Sequence, residues 1–161
     1  MLNISEIEEK IKLFSLNIKS NSYIDFVKKN SPLNFNRTFW SKDLAYSFEP
    51  LGLELVGIKG SKYLKTKPST YKSLHEYKLI NDIIYQIKVF DISGFNHNTL
   101  YYFKFNNIMT EINFENGKGI YSISELFYLN DIPIFFLKVD KNGRYWYYEY
   151  IYKNNRIKEI H

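Results

Sequence analysis

At 161 residues, with 45% hydrophobic and 24% charged residues, the chain has the length and composition of one globular domain, which we place at residues 1–161. Cysteine is absent, which excludes disulfides and thiolate metal sites, and no apolar run approaches the roughly 20 residues that span a bilayer. The first residues lack the apolar core of a signal peptide, so we expect a cytoplasmic protein.

The first predicted element is an amphipathic helix. Ser5 and Glu8 have the spacing of a capping box, in which each side chain can bond to the other residue's backbone N–H. Apolar residues then recur at spacings of three and four, which predicts one stripe along about four helical turns that docks on the domain's own sheet: Ile4, Ile7, Ile11, Phe14 and Ile18.

A second short helix follows. Ser22 is its candidate cap, and it carries Tyr23, Phe26 and Val27 before ending at Lys28-Lys29-Asn30, ahead of Pro32. The two helices form a predicted helical cap over residues 1–30.

After Pro32 the pattern changes to short segments rich in β-branched and aromatic residues, separated by Asn, Asp and Gly. These predicted strands are Thr38 to Phe48, Leu53 to Ile58, Tyr77 to Phe90, Thr99 to Phe105, Ile108 to Phe114, Tyr121 to Leu129, Ile134 to Val139, Arg144 to Tyr152 and Arg156 to Ile160. The predicted fold is α+β, with the N-terminal helical segment packed on a mainly antiparallel β-meander over residues 34–161. The sequence leaves open whether this sheet curls into a barrel.

A repeat of about 24 residues runs from residue 77 onward. The turn Asn81-Asp82 recurs at Asn106-Asn107, Asn130-Asp131 and Asn154-Asn155, at intervals of 25, 24 and 24 residues. A second turn lies within the units at Asp91 to Gly94, Glu115 to Gly117 and Asp140 to Gly143. Each unit is therefore predicted to be one hairpin, with turns at 81–82, 106–107, 116–117, 130–131, 142–143 and 154–155.

The segment RYWYYEYIY, residues 144–152, has six aromatic rings in nine positions. Strand alternation places Trp146, Tyr148, Tyr150 and Tyr152 on one face, which we predict to be the core face. Tyr145 and Tyr147 then stand on the other face with Glu149, as candidate contacts for a partner.

The motifs of the common catalytic sites are absent. There is no phosphate-binding glycine loop, no nucleophile elbow and no His pair at metal-ligand spacing, so we expect no enzymatic activity, no metal and no cofactor. His97 lies in a turn-like Gly-Phe-Asn-His-Asn segment, which is typical of a polar turn residue.

The net charge of +5 is concentrated in one segment. Lys59 to Lys72 holds five lysines and no acid, so Lys62, Lys65 and Lys67 are candidate electrostatic contacts for nucleic acid or an acidic partner. A solvated loop is the alternative interpretation.

Three functional classes remain open. A protein-binding module would use the exposed aromatic residues with Arg37, Arg144 or Arg156 as anchors. A nucleic-acid binder would use the Lys59–Lys72 loop with stacking aromatics, and a ligand-binding barrel would enclose a small apolar molecule. The modest charge and the absence of an RNA-recognition motif favour the first class.

The short chain without cysteine, with an N-terminal helix and an aromatic-rich meander, resembles the immunity proteins of bacterial polymorphic-toxin systems of the contact-dependent growth inhibition and Rhs types. Tyr150 to Ile157, YIYKNNRI, is also similar to the tyrosine-rich YD hairpins of the large toxins. The first resemblance implies a non-catalytic inhibitor that binds one cognate toxin domain and blocks its active site or its activation. We expect no membrane partner, because no apolar run is long enough to span a bilayer. Immunity proteins against nucleases are usually acidic, so the positive charge here points to an acidic toxin or to binding outside its active site.

Within this hypothesis the predicted partner contacts are Arg144, Tyr145, Tyr147 and Arg156. We expect these four residues to lie close together near the last hairpin, on the face that the core leaves free.

Overall fold

The computed structural model describes residues 3–32, 34–55, 62–153 and 156–160. The helices are α1 (Ile4–Ser20), α2 (Tyr23–Asn30) and the single turn α3 (Gly52–Leu55). The strands are β1 (Arg37–Ser41), β2 (His75–Ile80), β3 (Ile83–Phe90), β4 (Asn96–Phe105), β5 (Ile108–Glu115), β6 (Gly119–Leu129), β7 (Ile132–Asp140), β8 (Tyr145–Lys153) and β9 (Arg156–Ile160).

All nine strands belong to one sheet, in which each strand pairs antiparallel with the next along the chain. This confirms the predicted α+β meander. The edges of the sheet are β1 and β9, so the sheet is open and the barrel alternative is not realised.

The two ends of the sheet use different turns. At one end the two-residue turns contain asparagine or aspartate in the left-handed region, with φ of 49° and 62° at Asn81 and Asp82, and 51° and 61° at Asn130 and Asp131. At the other end the turns carry glycine at positive φ, at Gly94, Gly117 and Gly143. Five of the six predicted turns lie between strands as expected, and the sixth, at 154–155, lies outside the described residues.

The start of α1 differs from the prediction. Asn3, and not Ser5, is the N-cap: its side chain accepts from the backbone N–H of Glu6, and the Glu6 carboxylate accepts from the backbone N–H of Asn3 at 2.7 Å. Because the helix begins at Ile4, Ser5 lies inside the first turn, where it cannot be the cap. Ser22 precedes α2 but makes no side-chain cap bond.

The apolar stripe of α1 packs on the sheet, with one exception. Ile7, Phe14 and Ile18 are buried, and Ile11 is half-buried against the same core. Ile4 is 77% exposed because it is the first helical residue, at the end of the contact with the sheet. Within the described residues no helix combines the length and apolar character needed to cross a membrane.

Two of the predicted strands differ from the structure, one in its end and one in its type. The strand predicted at Thr38 to Phe48 ends at Ser41, and the one predicted at Leu53 to Ile58 begins as the helical turn α3, with residues 56–58 outside the description. The chain leaves the sheet after Ser41, and the backbone N–H of Ala45 donates to the hydroxyl of Tyr77 at 2.9 Å instead of to a neighbouring strand.

The sheet has a hydrophobic core on each side. The helix face packs against α1 and α2 through residues that include Ile112, Ile123, Leu137 and Val139. The opposite side, here called the loop face, packs against residues 42–51 through a second cluster: Tyr77, Leu79, Ile87, Tyr102, Leu126, Phe136 and Tyr150, with Phe48 from the loop.

Candidate functional site

Strand alternation on β8 is as predicted. Tyr150 is buried and Tyr148 and Tyr152 are partly buried in the loop-face core, where Tyr148 stacks on Phe136 with ring centroids 5.8 Å apart. Trp146 points to the same face, opposite Lys138, but it is 37% exposed. The prediction of a core position is therefore wrong for Trp146, because it lies beside the β7–β8 turn, outside the loop-face core.

The other face of β8 is exposed. Tyr145, Tyr147 and Ile151 are 53%, 47% and 41% exposed. They share this exposure because α1 packs on β6 and β7, one strand short of β8. Tyr147 is anchored on one side by stacking on Phe135, with ring centroids 6.3 Å apart. These three residues form what we call the β8 patch.

Arg144 immediately precedes the β8 patch in sequence and is held in place by Asp140, with its guanidinium carbon 5.7 Å from the centroid of the Trp146 ring on the loop face. Its Nε and Nη2 atoms lie 2.7 and 2.6 Å from Asp140 Oδ2, while Asp140 Oδ1 accepts from the backbone N–H groups of Asn142 and Arg144. Burial would raise the pKa of the Asp140 carboxyl, but these hydrogen bonds outweigh burial and lower its pKa. The guanidinium is therefore oriented before any partner binds.

Arg156 does not join this group. It is exposed on β9 and pairs with Lys153 at the far end of β8. Nine residues separate position 144 from position 153, about 30 Å along an extended strand. The expectation that Arg144 and Arg156 lie close together is wrong, because β8 runs the full length between them. Arg37, on the other edge strand, pairs with Asp82 at 2.6 Å.

The described part of the basic segment begins at Lys62. Lys62, Lys65 and Lys67 are exposed, and the segment is tied to β1 by the backbone hydrogen bond from Leu64 N–H to the carbonyl of Trp40 at 2.7 Å. Tyr63 is half-exposed and packs on Phe39, with ring centroids 4.0 Å apart. Lys59 lies outside the described residues.

A polar row on the loop face is invisible in the sequence. Strand register aligns Tyr102, Glu111, Ser124, Lys138 and Trp146 across β4 to β8. The Tyr102 hydroxyl donates to Glu111 Oε2 at 2.9 Å, and Ser124 Oγ lies 3.5 Å from Oε1. The only sequence signal is a charged residue at an inward position of β5, which has no meaning until the strand pairs are known.

In the part of the chain that the structure describes, the histidines and carboxylates form no recognisable catalytic group. Burial lowers the pKa of His75. His97 is exposed, but it is the second residue of β4 and not the turn residue that the sequence predicted. Among the described residues there is no group of three or more His, Cys, Asp or Glu side chains that could hold a metal ion. Comparisons with protein-family models, with curated proteins and with solved structures find no match to this chain.

Proposed function

We propose that this chain is a non-catalytic protein-binding inhibitor, of the immunity type that neutralises a cognate bacterial toxin. The observation that carries the proposal is the β8 patch, in which two tyrosines and an isoleucine stand exposed on one sheet face, next in sequence to an arginine that Asp140 holds in place. Tyrosine and arginine are among the residues that contribute most to protein–protein binding when a partner removes them from water.

The rigidity of the site supports this proposal. Tyr145 and Tyr147 lie on β8 and pair with Val139 and Leu137 of β7, and Arg144 is fixed by Asp140. Groups that are ordered before binding lose less conformational entropy on binding, so more of the contact energy appears as affinity. A flexible loop with the same residues would bind more weakly.

The charge of the surroundings indicates the partner's chemistry. Lys141 and Arg144 are exposed at the patch end of β8, and Lys153 and Arg156 are exposed at the other end. A standard interface covers about 800 Å² of each partner, a patch roughly 30 Å across, so one acidic surface could contact both ends of β8. At that width both arginines fall at the margins of the interface, so Arg144 and Arg156 are both proposed as peripheral contacts.

The test is co-purification with the protein encoded beside this one in the native host, followed by a binding measurement. We expect the double variant Tyr145→Ala/Tyr147→Ala to weaken binding by about 100-fold or more, the loss of two hot-spot residues. Phe105→Ala is a matched control, because Phe105 is 77% exposed on another strand, and its variant should bind like the native chain.

Two results would contradict the proposal. One is a complex that the tyrosine variant forms with native affinity. The other is purified chain that retains RNA or DNA at about 0.2 M salt, loses it on substitution of Lys62, Lys65 and Lys67, and recovers no protein, which would favour the nucleic-acid alternative. A tight complex that protects cells from its partner supports inhibition.

A further inference from the structure

A cavity lies on the loop face, away from the β8 patch. It has a volume of about 170 Å³, is partly open to solvent, and lies between residues 44–49 and strands β3 to β7. Its walls include Tyr46, Phe48, Glu49, Glu111, Phe136 and Lys138. No part of the proposed inhibitor function uses it.

Glu111 is the residue in this cavity that most needs explanation. It is 7% exposed, yet its carboxylate receives one good hydrogen bond, from Tyr102 at 2.9 Å, and one long one, from Ser124 at 3.5 Å. A carboxylate has about four acceptor positions. Among the described lysines and arginines, none has a nitrogen within 4.0 Å of it. Burying an ionised group without a counterion is costly.

The charges in the cavity wall do not balance. Its acids are Glu49 and Glu111 and its one base is Lys138, which gives 1 − 2 = −1 when all three are ionised. Burial raises the pKa of both glutamates, and the positive charge of Lys138 opposes the shift at both. The Lys138 ammonium also lies 5.8 Å from the centroid of the Trp146 ring. This one cation therefore interacts with Glu49, Glu111 and the Trp146 ring.

Aromatic rings surround the buried carboxylate. Tyr46 meets Tyr102 edge-on at 5.7 Å between ring centroids, and Phe48 lies 5.8 Å from Tyr102 and 6.3 Å from Phe136. Aromatic faces together with a carboxylate recognise organic ammonium ions, through cation–π attraction and charge. A hard metal ion instead requires about six or more oxygen ligands, which this wall does not offer.

We propose that the cavity binds a small organic ammonium ion, with Glu111 as its counterion and Phe48 and Phe136 as its apolar walls. The volume limits the size of the ligand. A cavity of about 150 Å³ accepts a benzene-sized molecule, so the ion has roughly five to eight non-hydrogen atoms.

The experiment titrates the purified full chain with tetramethylammonium chloride and follows backbone amide shifts by NMR, with sodium chloride keeping ionic strength constant. Saturable shifts are expected at Glu111, Ser124 and Phe136. The neutral probe tert-butanol, of similar size, should bind at least tenfold more weakly, and Glu111→Gln should weaken tetramethylammonium binding by at least tenfold.

Glu149→Gln is the matched control, because Glu149 is half-buried on β8 and does not line the cavity; its variant should bind like the native chain. If Glu111→Gln does not fold, Glu49→Gln should still weaken binding about threefold. Absence of saturable binding, equal binding of tert-butanol, or unchanged affinity in both glutamate variants would overturn the proposal. The measurement needs no protein partner, so its outcome is separate from the test of inhibition.

Discussion

The side chain of Asn21 joins the helices to the sheet across 99 residues of sequence, because its Oδ1 atom accepts from the backbone N–H of Ile120 at 3.1 Å. Asn21 itself ends α1 in the left-handed conformation, with φ of 52°. The close approach requires glycine at the start of β6: a Cβ atom on Gly119 would lie 2.5 Å from Asn21 Oδ1. This contact sets where the C-terminal end of α1 meets the sheet.

We therefore expect Gly119→Ala to lower the free energy of unfolding by about 2–3 kcal/mol, from backbone strain at φ of 94° together with the lost contact. Gly117→Ala is the matched control, since Gly117 also has positive φ, 75°, but nothing lies within 4 Å of its added Cβ. Its cost should be about 1 kcal/mol. Urea denaturation measures both, and equal losses would contradict the close approach.

Asp140 should stabilise its turn more than Asp91 does. Both aspartates accept two backbone N–H bonds in the same way, but only Asp140 is also bonded to an arginine side chain and fully buried. Asp140→Ala should cost about 2–3 kcal/mol and Asp91→Ala about 1 kcal/mol. Thermal and urea denaturation of the two variants provide the measurement. A larger loss for Asp91→Ala would show that the arginine contact and the burial contribute nothing.

Phe14 is expected to anchor α1 on the helix face. It is 1% exposed, so Phe14→Ala should cost about 3–5 kcal/mol through lost burial and the cavity left behind. Leu16, on the same helix, is 65% exposed, and Leu16→Ala should change stability by less than about 0.5 kcal/mol. A loss below about 0.5 kcal/mol for Phe14→Ala would mean that the helix does not pack on the sheet.

Glu111 should make stability depend on pH. Burial raises its pKa in the folded chain despite the opposing effects of Tyr102, Lys138 and Ser124, so the folded state holds this proton more tightly than the unfolded state. The resulting stabilisation is complete below the unfolded pKa and is lost as pH rises through the folded pKa. Replacing the titrating group by Glu111→Gln should therefore change the free energy of unfolding more favourably at high pH than at low pH.

The measurement is the free energy of unfolding of both proteins by urea over a series of pH values that starts near the ordinary pKa of glutamate, about 4, and goes upward. The free energy of unfolding of the Glu111→Gln variant minus that of the native protein should rise with pH and then level off. A difference that stays constant over this range would show that the folded and unfolded pKa values of Glu111 are the same.

The hairpins were predictable because their determinants are local. Asparagine and aspartate at 81–82, 106–107 and 130–131 tolerate left-handed backbone, and glycine does so at 117 and 143, so turn positions can be found without knowing what packs on the strands. The stripe of α1 is local in the same sense, since Ile7, Phe14 and Ile18 share a helix face by spacing alone. The strand predicted at Thr38 to Phe48 ends early, at Ser41, because local composition does not show that residues 42–51 leave the sheet and cover it.

The α+β class, the order of hairpins and the alternation along β8 can be predicted from sequence, because turn chemistry and periodicity act between residues that are close along the chain. The extent of α1, which stops at β7 and leaves Tyr145 and Tyr147 exposed, and the placement of Arg144 and Arg156 at opposite ends of β8 depend on the packing of the whole fold. The neighbours of Glu111 depend on it too, because residues 102, 111, 124 and 138 meet only through the registers of three strand pairs. Such contacts depend on how distant segments pack together, which no short stretch of sequence encodes.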